Sequence, residues 1–339
     1  MANWGFLGAG SIAASSLAPA VHAADRPRLH AVAASDARRA RALDPARVYT
    51  RYGDLLDDPG VEVVYVALHN SAHRTWVERA VRAGKHVLCE KPLGLSAAEV
   101  AAMTAAARDA GRLLVEAAWN RWHPRTRDLE AVIAGGAVGT VRTVTSRFDG
   151  LAPAAGNYRR DAALGGGALY DVGYYAVSAA LAAFGWRAPR VVRAEQEHWE
   201  VGSADSATRF LLEFPGGGTA EVGCSLVGGR SETFTVTGTG GSLALDQPAF
   251  CAGAAPSTLT VTGGRARHYP ALDPYRLMVE AVDAAVGGDT GVHLVVPAQS
   301  LLIAATLDAV RGHLRPDPAG GHRGRVRPGA LDGAGATPL

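Results

Sequence analysis

Directly after its first apolar run, Trp4–Leu7, the chain carries Gly8-Ala9-Gly10-Ser11-Ile12-Ala13, a G-x-G-x-x-A pattern, and then an amphipathic stretch, Ser11–His22. The glycines allow a tight turn and close backbone approach to an anion. The helix opening near Ser11 and Ile12 offers free N–H groups and a positive dipole end to a pyrophosphate. Glycines in turns are common, so the pattern gains its weight from lying between a strand and a helix. The alternation continues for 118 residues. Leu29–Ala34, Glu62–Ala67, His86–Cys89 and Arg112–Glu116 read as strands. Ala37–Leu43, Ser71–Ala83 and Ala97–Ala110 read as the helices between them. Such alternation predicts an α/β fold with a doubly wound parallel sheet, which binds ligands beyond the C-terminal ends of its strands.

The pattern changes after about Trp119. Pro124–Ala134 reads as a helix, Thr140–Asp149 as a long strand and Gly167–Phe184 as an alanine-rich helix. From Arg190 to Tyr269 one strand follows another across Gly-rich turns, which predicts a second domain with a large, mostly antiparallel sheet. Tyr275–Val286 and Pro297–Leu314 read as closing helices, the last one packing back on the first domain. The expected organisation is therefore residues 1–118, residues 119–314 and a tail over 315–339, whose Gly, Pro and Arg content predicts disorder. The chain has 339 residues, enough for two cores, and 48% hydrophobic and 19% charged residues, as in a soluble globular protein. A net charge of +2 gives no footprint for nucleic acid, and no long uncharged apolar run suggests a membrane span. The N-terminus lacks a basic leader, and Cys89, Cys224 and Cys251 are too far apart for a disulfide framework or a metal knuckle. A reduced, cytoplasmic protein without bound metal is expected.

The end of the second strand selects between nicotinamide dinucleotides, because a carboxylate there bonds the ribose 2′-OH and repels a 2′-phosphate. Here the run is Ala33-Ala34-Ser35-Asp36-Ala37-Arg38-Arg39. With Ala34 or Ser35 at the strand end and Ser35, Arg38 and Arg39 available to a phosphate, NADP(H) is favoured over NAD(H). The competing reading makes Asp36 a helix cap and leaves both arginines solvated.

Lysine is nearly absent. Lys85 and Lys91 stand against thirty-two arginines, and both lie between Ala83 and Pro92. A surface cation can be either residue, but a site that needs a compact ammonium cannot use the planar, permanently charged guanidinium. Lys91 is thus the first candidate for chemistry, and Lys85, opening a strand, reads as a structural cation. Three segments together resemble the Gfo/Idh/MocA oxidoreductases: the Gly-rich loop, Glu90-Lys91-Pro92 after a strand beginning Gly84-Lys85-His86, and Gly165-Gly166-Gly167-Ala168-Leu169-Tyr170-Asp171-Val172-Gly173-Tyr174-Tyr175. The likeness runs over about residues 2–314.

The resemblance implies a Rossmann domain followed by an α/β domain whose mostly antiparallel sheet packs subunits into a homodimer or homotetramer. It also implies hydride transfer at nicotinamide C4 to or from a sugar or cyclitol carbon. Inositol dehydrogenase-like members carry Asp and His four residues apart. Here the pair is Asp171 and Tyr175, as in the glucose–fructose oxidoreductase-like branch. Another departure is His69, where many relatives have proline before the asparagine. Asn70, His73, Glu90 and Arg121 are carried over as cofactor contacts. Asn157 and Arg159, in the loop before the glycine run, are carried over as substrate contacts. Other readings on the same fold are a glycoside hydrolase that retains NAD and a non-catalytic cofactor sensor. Against them stands the retained set of Lys91, Asp171 and Tyr175.

Reducing a ketone creates an alkoxide, which needs a proton donor and a charge near the oxyanion. Residues i and i+4 share a helix face, so Asp171 and Tyr175 can point into one cleft. The expected roles are Tyr175 as proton carrier, Lys91 as the cation that lowers its pKa and steadies the oxyanion, and Asp171 as the group that positions a substrate hydroxyl. Lys91 as the proton carrier is the alternative. Lys91→Arg is expected to lower steady-state turnover more than about tenfold, equal to ~1.4 kcal/mol; a smaller loss would show that any cation serves.

Overall fold

The computed structural model describes residues 1–314, apart from 254 and 265. The disordered tail expected over 315–339 lies outside the described residues. Among those described, six strands form one parallel sheet: β1 (Asn3–Leu7), β2 (Arg28–Ala33), β3 (Arg47–Tyr49), β4 (Val63–Val66), β5 (His86–Cys89) and β6 (Leu114–Glu116). Their order is β3-β2-β1-β4-β5-β6. The sheet reverses its winding between β1 and β4, the switch point at which such sheets take a dinucleotide. The strands are near-continuous apolar runs because helices cover both faces. Trp4, Phe6, Val64, Tyr65 and Leu88 are all fully buried.

Eight further strands make the second sheet: β7 (Val141–Asp149), β8 (Arg190–His198), β9 (Asp205–Glu213), β10 (Thr219–Ser225), β11 (Ser231–Gly238), β12 (Gly241–Leu245), β13 (Ser257–Val261) and β14 (Arg267–Tyr269). The order is β14-β13-β12-β11-β7-β10-β9-β8, antiparallel except where β7 meets β10. One face is apolar. Val144, Phe148, Val222 and Phe234 point inward against the helix Gly173–Ala183, while Thr143, Thr145, Arg147 and Arg209 alternate outward. The last helix, Pro297–Leu314, returns to the first sheet's layer, where the Asp308 carboxylate accepts from the Ala97 amide at 2.7 Å. Among the described residues, no helix is long and apolar enough to cross a membrane, and no His, Cys, Asp or Glu cluster could hold a metal.

Three departures from the sequence reading have identifiable causes. The short strand β3 and the helix Tyr52–Leu56 fall in residues 44–60, where no periodicity is long enough to read. The first helix contains a π turn over Ala13–Leu17 before Ala18–Ala23, because Pro19 has no N–H to give the preceding turn. The alanine-rich helix expected over Gly167–Phe184 is broken at Val172 into Ala168–Asp171 and Gly173–Ala183.

The glycine run packs this broken helix in place. Gly167 sits at φ +115°, and a Cβ there would collide with the Asp205 carboxylate, which accepts from the Leu169 amide at 2.9 Å. Gly167→Ala is expected to destabilise the fold by about 1–3 kcal/mol, the usual cost of a strained backbone residue; urea unfolding followed by circular dichroism checks the value, and an unchanged midpoint would dismiss the packing argument.

Candidate active site

A cleft of about 570 Å³ opens beyond the C-terminal ends of β1, β2, β4 and β5 and runs under the second sheet. Its first wall is the loop after β1. Gly8 has φ +100°, and a Cβ there would strike the Ala67 carbonyl at the end of β4. A Cβ on Gly10 would meet no protein atom within 4 Å, so the backbone stands open to the cleft beside Ser11 and Ile12. This is the space a pyrophosphate needs, and a dinucleotide fits the residues present.

Ser35, Asp36 and Arg39 line the cleft at the end of β2. Asp36 caps the next helix, its Oδ1 accepting from the Arg38 amide at 2.8 Å and the Arg39 amide at 3.4 Å. One of its two carboxylate oxygens is therefore engaged by the helix cap, as the competing sequence reading had it. Arg38 is 90% exposed and lies outside the cleft lining, whereas Arg39 lines it.

Lys91 follows β5 and is placed by its neighbours. The Lys91–Pro92 bond is cis. The Pro92 carbonyl faces His73 Nδ1 at 2.9 Å, and the Leu93 amide donates to Glu116 Oε1 at 2.7 Å. Glu90 accepts from the Tyr65 hydroxyl at 2.6 Å and the Lys91 amide at 3.3 Å. Burial raises the Glu90 carboxyl pKa and outweighs Tyr65 and Lys91, which pull it down.

The break at Val172 matters here. In an unbroken helix the Tyr175 amide would bond the Asp171 carbonyl. It bonds Val172 instead, at 3.2 Å, and the freed Asp171 carbonyl accepts from Lys91 Nζ at 2.6 Å. Lys91 Nζ also lies 3.3 Å from Asp171 Oδ1, and Arg159 Nε donates to Oδ2 at 2.7 Å. Both side chains of the Lys91–Asp171 pair are largely buried, 11% and 15% exposed. Burial alone would raise the Asp171 pKa. Lys91 and Arg159 more than reverse that and hold it below the usual carboxylate value.

Tyr175 lies beneath Lys91, whose Nζ is 4.9 Å from the centre of its ring. The Tyr175 oxygen accepts from Trp119 Nε1 at 2.9 Å. The expected lowering of the phenol pKa by Lys91 is corrected. Burial pushes it well above its usual value, and Cys251, Tyr275, Glu90 and Asp171 act in the same direction. Lys91 faces the ring, and its charge is already met by Asp171.

The structure brings Gly8, Gly10, Ser11, Ile12, Ser35, Arg39, Asn70, Glu90, Lys91, Asn157, Arg159, Asp171 and Tyr175 to one cleft. Asn70 also ties its floor together, donating to the Gly165 carbonyl at 2.8 Å. Three expected contacts fall elsewhere: Arg38, exposed outside the cleft lining, and the buried His73 and Arg121. His73 is fully buried between the Pro92 and Leu68 carbonyls, where burial lowers its pKa to about 4. Arg121 is buried against Trp186, 4.5 Å from its ring, with Glu130 at 3.5 Å. Sequence reasoning chose Arg121, Asn157 and Arg159 from segments that also hold Trp119 and Tyr158, but missed the aromatic wall those two form with Phe148 and Tyr275, and missed Cys251. Cys251 is carried in by a loop that buried groups hold at both sides. Arg125 donates to Asp246 and to the Pro248 and Ala249 carbonyls, and Glu232 accepts from the Phe250 and Cys251 amides. No local pattern in the sequence marks that wall, because its residues come from four separate segments.

Asp171 yields a pH prediction. Its folded pKa is depressed, so it stabilises the fold fully above the ordinary carboxylate value, about 4, and that contribution is lost as pH falls through the folded pKa. Asp171→Asn, which leaves Lys91 and Arg159 without their counter-charge, is expected to lower the unfolding temperature at pH 7 and to approach the parent protein below about pH 4. Calorimetry across that range checks both the sign and the convergence.

Comparison with known proteins agrees with this arrangement. Residues 2–117 match the family model described as an oxidoreductase family with an NAD-binding Rossmann fold, and residues 126–244 match the GFO/IDH/MocA C-terminal domain. The chain is 35% identical to the trans-1,2-dihydrobenzene-1,2-diol dehydrogenase of Sus scrofa over 77% of its own length and 78% of that protein's. It is also 35% identical to a D-xylose 1-dehydrogenase (NADP(+)) of Haloferax volcanii, over 91% and 95% of the two chains. Among solved structures, KijD10, a 3-ketoreductase from Actinomadura kijaniata in complex with NADP and TDP-benzene, superposes with a TM-score of 0.83 at 27% identity, covering 92% of this chain and 97% of that one. The chain belongs to the Gfo/Idh/MocA family and is an NAD(P)-dependent oxidoreductase that acts on CH–OH groups.

Proposed function

We propose that this protein is an NADP(H)-dependent oxidoreductase that interconverts a ketone and a CH–OH group on a sugar, a nucleotide-linked sugar or a related polyol. The observation that carries the reading is the cluster of Lys91, Asp171 and Tyr175 in the same cleft as the open Gly10 backbone. When bound, the dinucleotide supplies or takes the hydride at its nicotinamide C4. The remaining tasks fall to side chains. An ammonium has three N–H groups, and Asp171 engages two of those on Lys91, so the third is left for a substrate oxygen that gains negative charge. Tyr175 holds a proton on its oxygen and delivers it in reduction, and it receives one in oxidation. Asp171 first orients Lys91, and its remaining lone pairs accept from a substrate hydroxyl. Arg159 and Asn157 flank the substrate on the loop that ends at the glycine run.

Preference for NADP(H) is supported by Ser35 at the end of β2 and by Arg39 in the cleft lining. Exposed Arg38 stands next to them in sequence. The relatives point the same way, one being named for NADP(+) and another seen in complex with NADP. The sugar-like substrate rests on those relatives and on an aldose-aldose oxidoreductase from Caulobacter crescentus that covers 92% of this chain at 26% identity and a TM-score of 0.82. The reading further assigns cofactor binding to residues 1–118, substrate binding to residues 119–314, and a homodimer or homotetramer through the outward, Thr- and Arg-bearing face of the second sheet.

Fluorescence titration is expected to give at least about tenfold tighter binding of NADPH than of NADH, ~1.4 kcal/mol. Tyr175→Phe is expected to leave the NADPH affinity within about twofold while lowering the turnover of D-xylose with NADP+ by about 10²-fold or more, the usual loss of a general acid or base. Equal affinities would reassign the cofactor; an undiminished rate would move the proton carrier elsewhere.

A further inference from the structure

The phenol of Tyr175 is buried, yet only one hydrogen bond to it is seen among the described residues: the indole N–H of Trp119 donates to the phenol oxygen at 2.9 Å. That bond uses a lone pair, not the phenolic hydrogen. A phenol carries one donor and is left free to give it elsewhere. Trp119 is itself fixed. It sits in a 3₁₀ turn, Trp119–Trp122, just beyond the end of β6, is 8% exposed, and is stacked on Tyr275 with ring centroids 4.7 Å apart and planes at 19°. Phe148 lies tilted against Tyr175 at 5.5 Å, and Tyr174 meets it edge-on at 5.7 Å. The Tyr175 ring is therefore clamped by aromatic groups, and its oxygen is anchored from the indole side.

We infer that Trp119 is a positioning residue for Tyr175: its indole N–H holds the phenol oxygen so that the phenolic hydrogen is presented to the cleft, where a substrate oxygen is bound. The inference deepens the proposed function and rests on it for the role of Tyr175. Two consequences follow from elementary hydrogen-bond chemistry. A donor to the phenol oxygen stabilises the phenolate more than the phenol, so Trp119 favours proton release. It also removes one rotor from the proton-transfer geometry, because the O–H can no longer turn toward the indole. Trp119 opposes its surroundings in this. Burial raises the phenol pKa, and Glu90 from the end of β5, Asp171 on the neighbouring helical turn, Cys251 from the loop before β13 and Tyr275 from the helix Pro274–Val286 raise it further. Lys91 faces the ring, and Tyr174 packs against it. The indole is the one group among these that meets the phenol oxygen with a hydrogen bond.

Trp119→Phe deletes the N–H and keeps an aromatic ring. Protein labelled with ¹³C at tyrosine Cζ gives a resonance for Tyr175, assigned by its loss in Tyr175→Phe. In Trp119→Phe this resonance is expected to move, and its ionisation is expected to shift upward by about half a pH unit or more, the range of a single neutral hydrogen bond. The Trp119 indole ¹⁵N–H resonance is expected to move in Tyr175→Phe. With NADP+ and D-xylose, the loss caused by Trp119→Phe is expected to vanish when measured in the Tyr175→Phe background, as for residues that act through one another. A Tyr175 resonance and titration unchanged by Trp119→Phe would overturn the inference, as would an equal rate loss in both backgrounds, which marks a purely structural role. A fully active Tyr175→Phe with the two resonances still coupled would instead refute Tyr175 as proton carrier.

Discussion

The contact between Lys91 and Asp171 is the constraint on which the cleft depends. One partner lies beyond the end of β5 in the parallel sheet, the other at the break of a helix that packs on the antiparallel sheet. Each would be costly alone. A buried ammonium or carboxylate must be paired and hydrogen-bonded to stay charged. Arg159 adds a second cation to the same carboxylate, and the Asp171 carbonyl adds a neutral acceptor for the ammonium. The cluster is held together because each of its charges is compensated, and among the described residues Lys91 keeps one N–H without a protein partner.

Around that cluster the molecule arranges supports that never reach the cleft. His73 and Glu116 grip the backbone on either side of Pro92. Lys85 donates to the Asp58 and Val61 carbonyls at 2.8 Å and closes the turn before β4. Arg125 and Glu232 hold the loop that carries Phe250 and Cys251. These are buried polar groups spent on backbone atoms, and each fixes a segment that would otherwise be free to move. A cleft built this way keeps its geometry through its supports rather than through the groups that line it.

Much of this was legible beforehand, for reasons that differ from residue to residue. Gly8 and Gly10 could be read because their job is local: a turn between a strand and a helix. Lys91 could be read because an arginine-rich chain keeps lysine in two places only, and Lys85, the other one, does prove to be buried against carbonyls. Arg121 and His73 misled because a motif transfers position, not direction; both side chains turn into packing instead of the cleft. The direction of the Tyr175 pKa also escaped the sequence. A neighbouring cation is visible in a motif, whereas burial is a sum over residues far apart in the chain.

The sequence by itself determined the two-sheet architecture, the anion-binding turn and the presence of a lysine, an aspartate and a tyrosine with acid–base capacity. These follow from periodicity, turn chemistry and side-chain type, which act within a few residues. Tertiary structure decided what those groups touch. It broke the alanine-rich helix at Val172, gave the freed carbonyl to Lys91, turned Arg159 onto Asp171 and set the indole of Trp119 against the phenol of Tyr175. Those partners are 12 to 80 residues apart in the chain. For Lys91 and Trp119, only the packing of the parallel sheet's C-terminal strand ends against the helix of the other sheet brings them within hydrogen-bond reach of their partners, and no local pattern encodes that distance.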